Sequence, residues 1–207
     1  MSESGSIVDP DGYASIRSHA ATVFHLDARL PDQVFRADAS DSLFCEFDSI
    51  LVPEFWPAFC AAARWHGDER IELLVLEPDG EAYFVPKYGL YPAISLPVEA
   101  GEDDYWAAIG TDPPGHNYSS MALSANVVAV TGPSGKWGCW GERGYEVAVF
   151  RGFPNAATRS EWQAQFGPLL DVSDAVNSFF PWTFRRRAAP DGYVAALTAN
   201  YGGGEDA

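Results

Sequence analysis

At 207 residues, 47% hydrophobic and 14% aromatic, the chain is long and apolar enough for one packed core and falls outside the disordered class. Its formal net charge of −16, from 29 acidic against 13 basic residues, repels phosphate backbones and anionic lipid surfaces. Nucleic acid and membrane are thereby excluded as expected partners. A basic protein is the partner whose field would complement this one.

Residues 1–9 are small and polar, and both they and 202–207 are expected to be mobile ends of a single domain spanning 1–207. Pro10-Asp11-Gly12 precedes a helix with Tyr13, Ile16, Ala20 and Val23 at helical spacing. Leu30 to Asp48 mixes a proline with several acids and reads as loop with one short strand. Pro53 opens a helix running to His66, where Phe55, Trp56, Phe59, Cys60 and Ala63 form an apolar stripe and Gly67 closes it. Arg70 to Glu77 is apolar on both faces, which predicts a central or covered strand. With the turn Pro78-Asp79-Gly80 and the β-rich stretch Glu81 to Pro86 it predicts a hairpin. Pro86 to Pro92 reads as an extended aromatic loop. Glu102, Asp103 and Asp104 suit the first turn of a short helix through Ile109, where acids meet the positive end of the dipole.

A loop follows at Thr111 to Ser120. Ala122 to Thr131, Trp137 to Gly141 and Tyr145 to Phe150 then read as three strands joined by turns too short for parallel crossovers, hence an antiparallel meander. Thr158 with Glu161 fits a capping box, and Trp162, Phe166 and Leu169 continue one helical face. A short helix is predicted over Val172 to Phe179, and Pro190 starts a terminal one. The fold class is α+β: a central antiparallel sheet of about five strands, with helices from both chain ends packed on it.

Few motifs carry chemistry. Gly132-Pro133-Ser134-Gly135-Lys136 looks like a phosphate-binding loop but has Val130 where a glycine is needed and Trp137 where Ser or Thr would hold magnesium. It reads as a β-turn. Cys45, Cys60 and Cys139 have neither disulfide nor metal spacing, and Cys60 and Cys139 fall on apolar elements as small hydrophobes. Metal and cofactor are not expected. His116 and Asn117 lie in a polar loop of the kind that carries sites, although no nucleophile elbow or spaced carboxylate accompanies them. Arg185-Arg186-Arg187 is the one basic cluster, facing acidic runs at Glu99 to Asp104 and Asp38 to Asp48.

Trp137-Gly138-Cys139-Trp140-Gly141-Glu142-Arg143-Gly144-Tyr145 is the most distinctive stretch. Its glycines predict a close approach of another chain segment or a ligand. Side chains alternate along a strand, so Trp137 and Trp140 are expected on opposite faces unless a bulge brings them together. Glu142 and Arg143 are expected as an exposed pair at a hairpin tip. From Asn126 to Val149, this strand, Gly-Trp-Gly region, Glu-Arg tip and Glu-Val-Ala-Val strand resemble small immunity-type proteins of bacterial toxin systems. The resemblance implies a non-enzymatic protein that neutralises a toxin by covering it, a job the acidic charge would suit where the toxin is a basic nuclease.

The leading expectation is therefore a cytoplasmic, monomeric, acidic protein-binding module. Its contacts would be Trp137, Trp140, Glu142, Arg143 and Tyr145, ringed by acids. The alternative is a small-ligand binder or enzyme, with a pocket between the His116–Asn117 loop and the Trp137–Tyr145 hairpin.

Overall fold

In the computed structural model, residues 8–37, 41–184 and 189–202 are described; Asp38, the Arg185–Arg187 cluster and the far ends of the chain lie outside them. Helix α1 (Pro10–Val23) starts on Asp9, whose side chain accepts the Gly12 N–H at 2.8 Å, and it buries the four residues expected. Strand β1 (Leu43–Cys45) is the short strand of the first loop region. After a turn at Pro53–Phe55, α2 (Trp56–His66) runs to Gly67, whose left-handed φ of 74° ends it.

Strand β2 (Arg70–Glu77) does not turn back on residues 81–86. Asp79 instead caps a wide helical turn, Gly80–Phe84, by accepting the Ala82 N–H at 2.7 Å, and this turn runs into α3 (Val85–Tyr88). The strand-like composition was outweighed by an N-cap and by burial of Phe84. Pro86 falls in the first turn of α3, where its missing N–H is harmless. The expected extended loop over 86–92 is thus partly helical, ending at Gly89 with φ 70°. The true partner of β2 is β3 (Ala93–Pro97), with Leu73 opposite Ile94.

Helix α4 (Glu102–Gly110) has its three acids in the first turn, with Tyr105 and Ile109 facing inwards. Met121–Ser124 (α5) is a helical turn, so β4 is shorter than expected, Val127–Thr131. Strands β5 (Gly138–Glu142) and β6 (Val147–Arg151) complete the meander, each about one residue further along than the sequence suggested. Helix α6 (Ala156–Phe166) is capped by Asn155, which accepts the Thr158 N–H at 2.9 Å, in place of the Thr158 capping box. Helices α7 (Val172–Asn177), α8 (Phe180–Thr183) and α9 (Asp191–Tyr201) follow.

Among the described residues one antiparallel sheet of six strands forms, in the order β1-β6-β5-β4-β2-β3. Its middle strands are apolar on both faces because helices cover both. On one face Leu73, Val75, Val128 and Val130 pack with α2, α4 and Trp162. On the other, Leu74, Val127, Ala129 and Val149 pack with α1 and with Tyr193 and Leu197 of α9. Helices from both ends of the chain therefore share that second face. No helix of the described residues is long and apolar enough to cross a membrane.

Candidate functional site

Of the sequence-predicted residues, Glu142, Arg143 and Tyr145 line one recess; a second, sharing no lining residue with it, lies under the loop that carries His116 and Asn117, neither of which lines it. The first is a cleft of about 610 Å³ where β5 ends, lined by Arg29, Glu77, Asn126, Glu142, Arg143 and Tyr145 among others. The second, of about 260 Å³, lies under the loop 111–120 against Phe84, Leu90, Ala108 and Met121. Trp137 lines neither of these two; it borders a smaller recess of about 90 Å³ with Thr22, Phe35 and Arg151.

Trp137 and Trp140 do point to opposite faces, since one belongs to each core, and both are buried. The Trp137 indole N–H donates to Asp68 at 2.9 Å, and that of Trp140 to Glu142 at 2.8 Å. The two indoles are walled in by protein and present no docking surface. The glycines beside them serve the same packing. A Cβ at Gly138 would collide with Phe24 on one face, and a Cβ at Gly141 with Phe47 and Ile50 on the other. The close approach expected from the glycines is made by the chain's own aromatic side chains.

Glu142 departs from the expected exposed tip. It is the last residue of β5 and only 6% exposed. Its Oε1 accepts both the Trp140 indole and the backbone N–H of Leu30, each at 2.8 Å, stitching the 24–35 loop to the sheet. Burial pushes its carboxyl above the ordinary range, with Glu77 adding to the rise. The hydrogen bonds from Leu30 and Trp140 and the charge of Arg29 oppose that push.

Arg143 pairs with Asp48 at 2.9 Å, not with Glu142. It also donates to the carbonyls of Ala125 and Ala122 and lies over the Phe47 ring at 4.7 Å. The arginine thus clamps the start of β4 to the 47–51 turn. Tyr145 is 37% exposed, stacked on Phe184 at 5.1 Å and tilted against Tyr193 at 4.8 Å. Glu146 closes the turn in a left-handed conformation, φ 51°. Burial raises its carboxyl, and the nearby Asp48 raises it further.

In the second recess Asp112 organises the loop. Its two oxygens accept the backbone N–H groups of Tyr118, Ser119 and Ser120 at 2.7–2.9 Å, which hold its carboxyl below the usual range. This fold-back leaves Tyr118 at a left-handed φ of 57° and 86% exposed. His116 stands edge-on to Tyr88 at 4.9 Å, while Asn117 is exposed and contributes its carbonyl to Ser119. Lys87 donates to the Tyr83 hydroxyl at 2.6 Å and lies between the Tyr83 and Tyr88 rings, 4.6 and 4.8 Å from their centres. Hydrogen bonding from Lys87, and next from Ser119, draws the Tyr88 hydroxyl down to about 8.

Arg29, Glu77 and Asn126 are site residues that sequence reasoning missed. They come from three distant parts of the chain, and no local spacing links them. Tyr88 carried a signal, its neighbouring lysine, but the segment was read as an extended loop. The three cysteines are buried; burial raises the thiols of Cys45 and Cys139, and that of Cys60 to about 11, which leaves all three as thiols at neutral pH. No group of three His, Cys, Asp or Glu among the described residues could hold a metal.

Fold and recesses together define an α+β protein whose described residues form one antiparallel sheet covered on both faces, with a cleft at one strand end lined by two acids and two arginines and a small, mainly apolar pocket beneath a loop. No protein-family model matches the chain, and the comparisons with curated proteins and with solved structures gave no match.

Proposed function

We propose that the chain is a non-enzymatic protein-binding module that docks a basic partner, of the toxin-neutralising kind. One observation carries the reading. Trp106, Tyr118 and Leu123 are respectively 46%, 86% and 59% exposed, and Trp106 lies on α4 within about one turn of that helix's exposed first-turn acids. Large aromatic side chains such as these are enriched among the anchors of protein interfaces. Glu99, Glu102, Asp103 and Asp104 supply the charge that would draw a basic surface towards them.

Capture from the native host on immobilised protein, repeated from low ionic strength to about 1 M salt, where the screening length falls to about 3 Å, tests this. A basic protein is expected at low salt, lost at high salt and lost in Trp106→Ala combined with Tyr118→Ala. Capture of nothing basic, or capture indifferent to that double variant, defeats the reading.

A small-ligand or enzymatic role is the second reading. Its support is the pocket of about 260 Å³ with Tyr88 close to its Ser119 edge, although it stands apart from the Trp137 hairpin. A thermal-shift screen of metabolites and nucleotides discriminates: a stabilising hit abolished by Tyr88→Phe favours this reading over the first.

A further inference from the structure

The cleft at the end of β5 is electrically balanced. Its lining sets Arg29 and Arg143 against Glu77 and Glu142, so it selects neither a cation nor an anion. Both arginines are spent on the fold. Arg29 donates to the carbonyls of Leu26 and Ala28 and stands 3.6 Å from Glu77. Arg143 is taken up by the carbonyls of Ala125 and Ala122 and by Asp48.

Other groups of the lining keep hydrogen-bonding capacity. Every hydrogen bond Glu142 makes among the described residues falls on Oε1. Its Oε2 has no partner there, yet it is not one of the sealed polar atoms, so solvent reaches it. The exposed Asn126 amide and the Tyr145 hydroxyl likewise make no hydrogen bond among the described residues. These groups stand on a fixed frame. Val127 is the register partner of Glu77 on one side and of Glu142 on the other, and residues side by side across strands share a face. The two acids therefore flank Val127 with their backbones about 10 Å apart, two strand spacings. Tyr145, packed on Phe184 and Tyr193, adds a held aromatic ring to the lining.

We propose that this cleft binds a single neutral sugar ring, with its hydroxyls shared among Glu142 Oε2, Glu77 and the Asn126 amide and its C–H face on the Tyr145 ring. The proposal depends on neither reading above. Each sugar hydroxyl offers one donor and two acceptor positions; a carboxylate oxygen takes the donor, and an amide both gives and takes. Tyrosine offers an apolar body with a polar tip to a ligand that is apolar on one side and wet at its edge. Neutral hydroxyls leave water at far lower cost than charges and ask for no counter-charge, which the balanced lining does not supply. An apolar ligand would strip water from Oε2 and the amide and return no hydrogen bond. The volume of about 610 Å³ falls within the usual range of small-ligand sites.

The test is an NMR titration of the whole protein with D-glucose, D-galactose and D-mannose, following the Trp140 indole N–H, which donates to the other oxygen of the Glu142 carboxyl. For the hexose that binds, its uronic acid and its amino sugar, anionic and cationic analogues of the same ring, are run beside it. At least one hexose is expected to bind saturably and at least about tenfold tighter than both charged analogues, the ratio that corresponds to 1.4 kcal/mol. Asn126→Ala, on an exposed side chain that makes no bond to the fold, should weaken binding about tenfold, the worth of about one hydrogen bond. Tyr145→Leu should weaken it as well. No saturable shift with any hexose, a charged analogue binding as tightly as the neutral ring, or unchanged affinity in both variants each overturns the assignment. Shifts confined to the 111–120 loop place the sugar in the other recess and overturn it too. Capture of a basic partner through Trp106 and Tyr118 stands or falls separately.

Discussion

Asp68 accepts three hydrogen bonds across the Gly132–Lys136 turn: from the Ser134 N–H and hydroxyl at 2.7 Å and from the Trp137 indole at 2.9 Å. A single buried acid thus occupies the place where the phosphate look-alike would have held an anion. Asp68→Ala strands donors inside the protein, and each unanswered one costs about 1–3 kcal/mol. A loss of about 2–4 kcal/mol is expected, read as a lower denaturant midpoint at unchanged slope. Glu142 behaves in the opposite way. Its carboxyl is raised in the fold, so the protonated form is the one folding favours. Its contribution is full below the unfolded glutamate value of about 4.3 and is lost as pH rises through the raised folded value. Gln keeps an acceptor for Leu30 and Trp140 without a charge to bury. Glu142→Gln should therefore melt higher than the parent at neutral pH, and the gap should close below pH of about 4. A gap that widens on acidification contradicts the burial argument.

Elements were legible where one periodicity spoke alone. Tyr13, Ile16, Ala20 and Val23 gave α1, the acids before Ile109 gave α4, and the short turns of 122–150 gave the meander. The double apolar face of Arg70–Glu77 correctly placed β2 inside the sheet, between β3 and β4. Legibility failed where two local signals competed, as at Asp79, where turn chemistry and N-cap chemistry use the same residues. It failed again for the cleft, because bringing Glu77, Asn126 and Glu142 together is a property of the sheet order, and Arg29 joins them from a loop. Trp162 lies between these cases, readable as a helical core residue but not as a hub. It packs within 4.8–6.5 Å of the Phe55, Trp65, Phe150, Phe153 and Phe166 rings, and its indole donates to the Ala58 carbonyl. Trp162→Ala should cost about 3–5 kcal/mol, because α6 has no other fully buried side chain with which to grip α2 and β6. Loss of cooperativity confined to the C-terminal third, by hydrogen exchange, would confirm that α6 is held by this contact.

At the scale of the whole molecule the net charge of −16 acts on stability and on docking with opposite signs. Like charges repel most in the compact state, so dilute buffer, with a screening length of about 30 Å at 0.01 M, should destabilise the fold. Raising the salt to about 0.15 M cuts that length to about 8 Å. Melting should then rise by about 2–4 °C, the equivalent of roughly 1 kcal/mol for a chain of this size. Association with a basic partner draws on the same field from outside, so its on-rate should fall across the same salt range. Acidity kept only for solubility predicts the first slope without the second. Measuring both on one preparation separates the two roles of the charge, and a partner whose on-rate ignores salt would assign the docking to Trp106, Tyr118 and Leu123 alone.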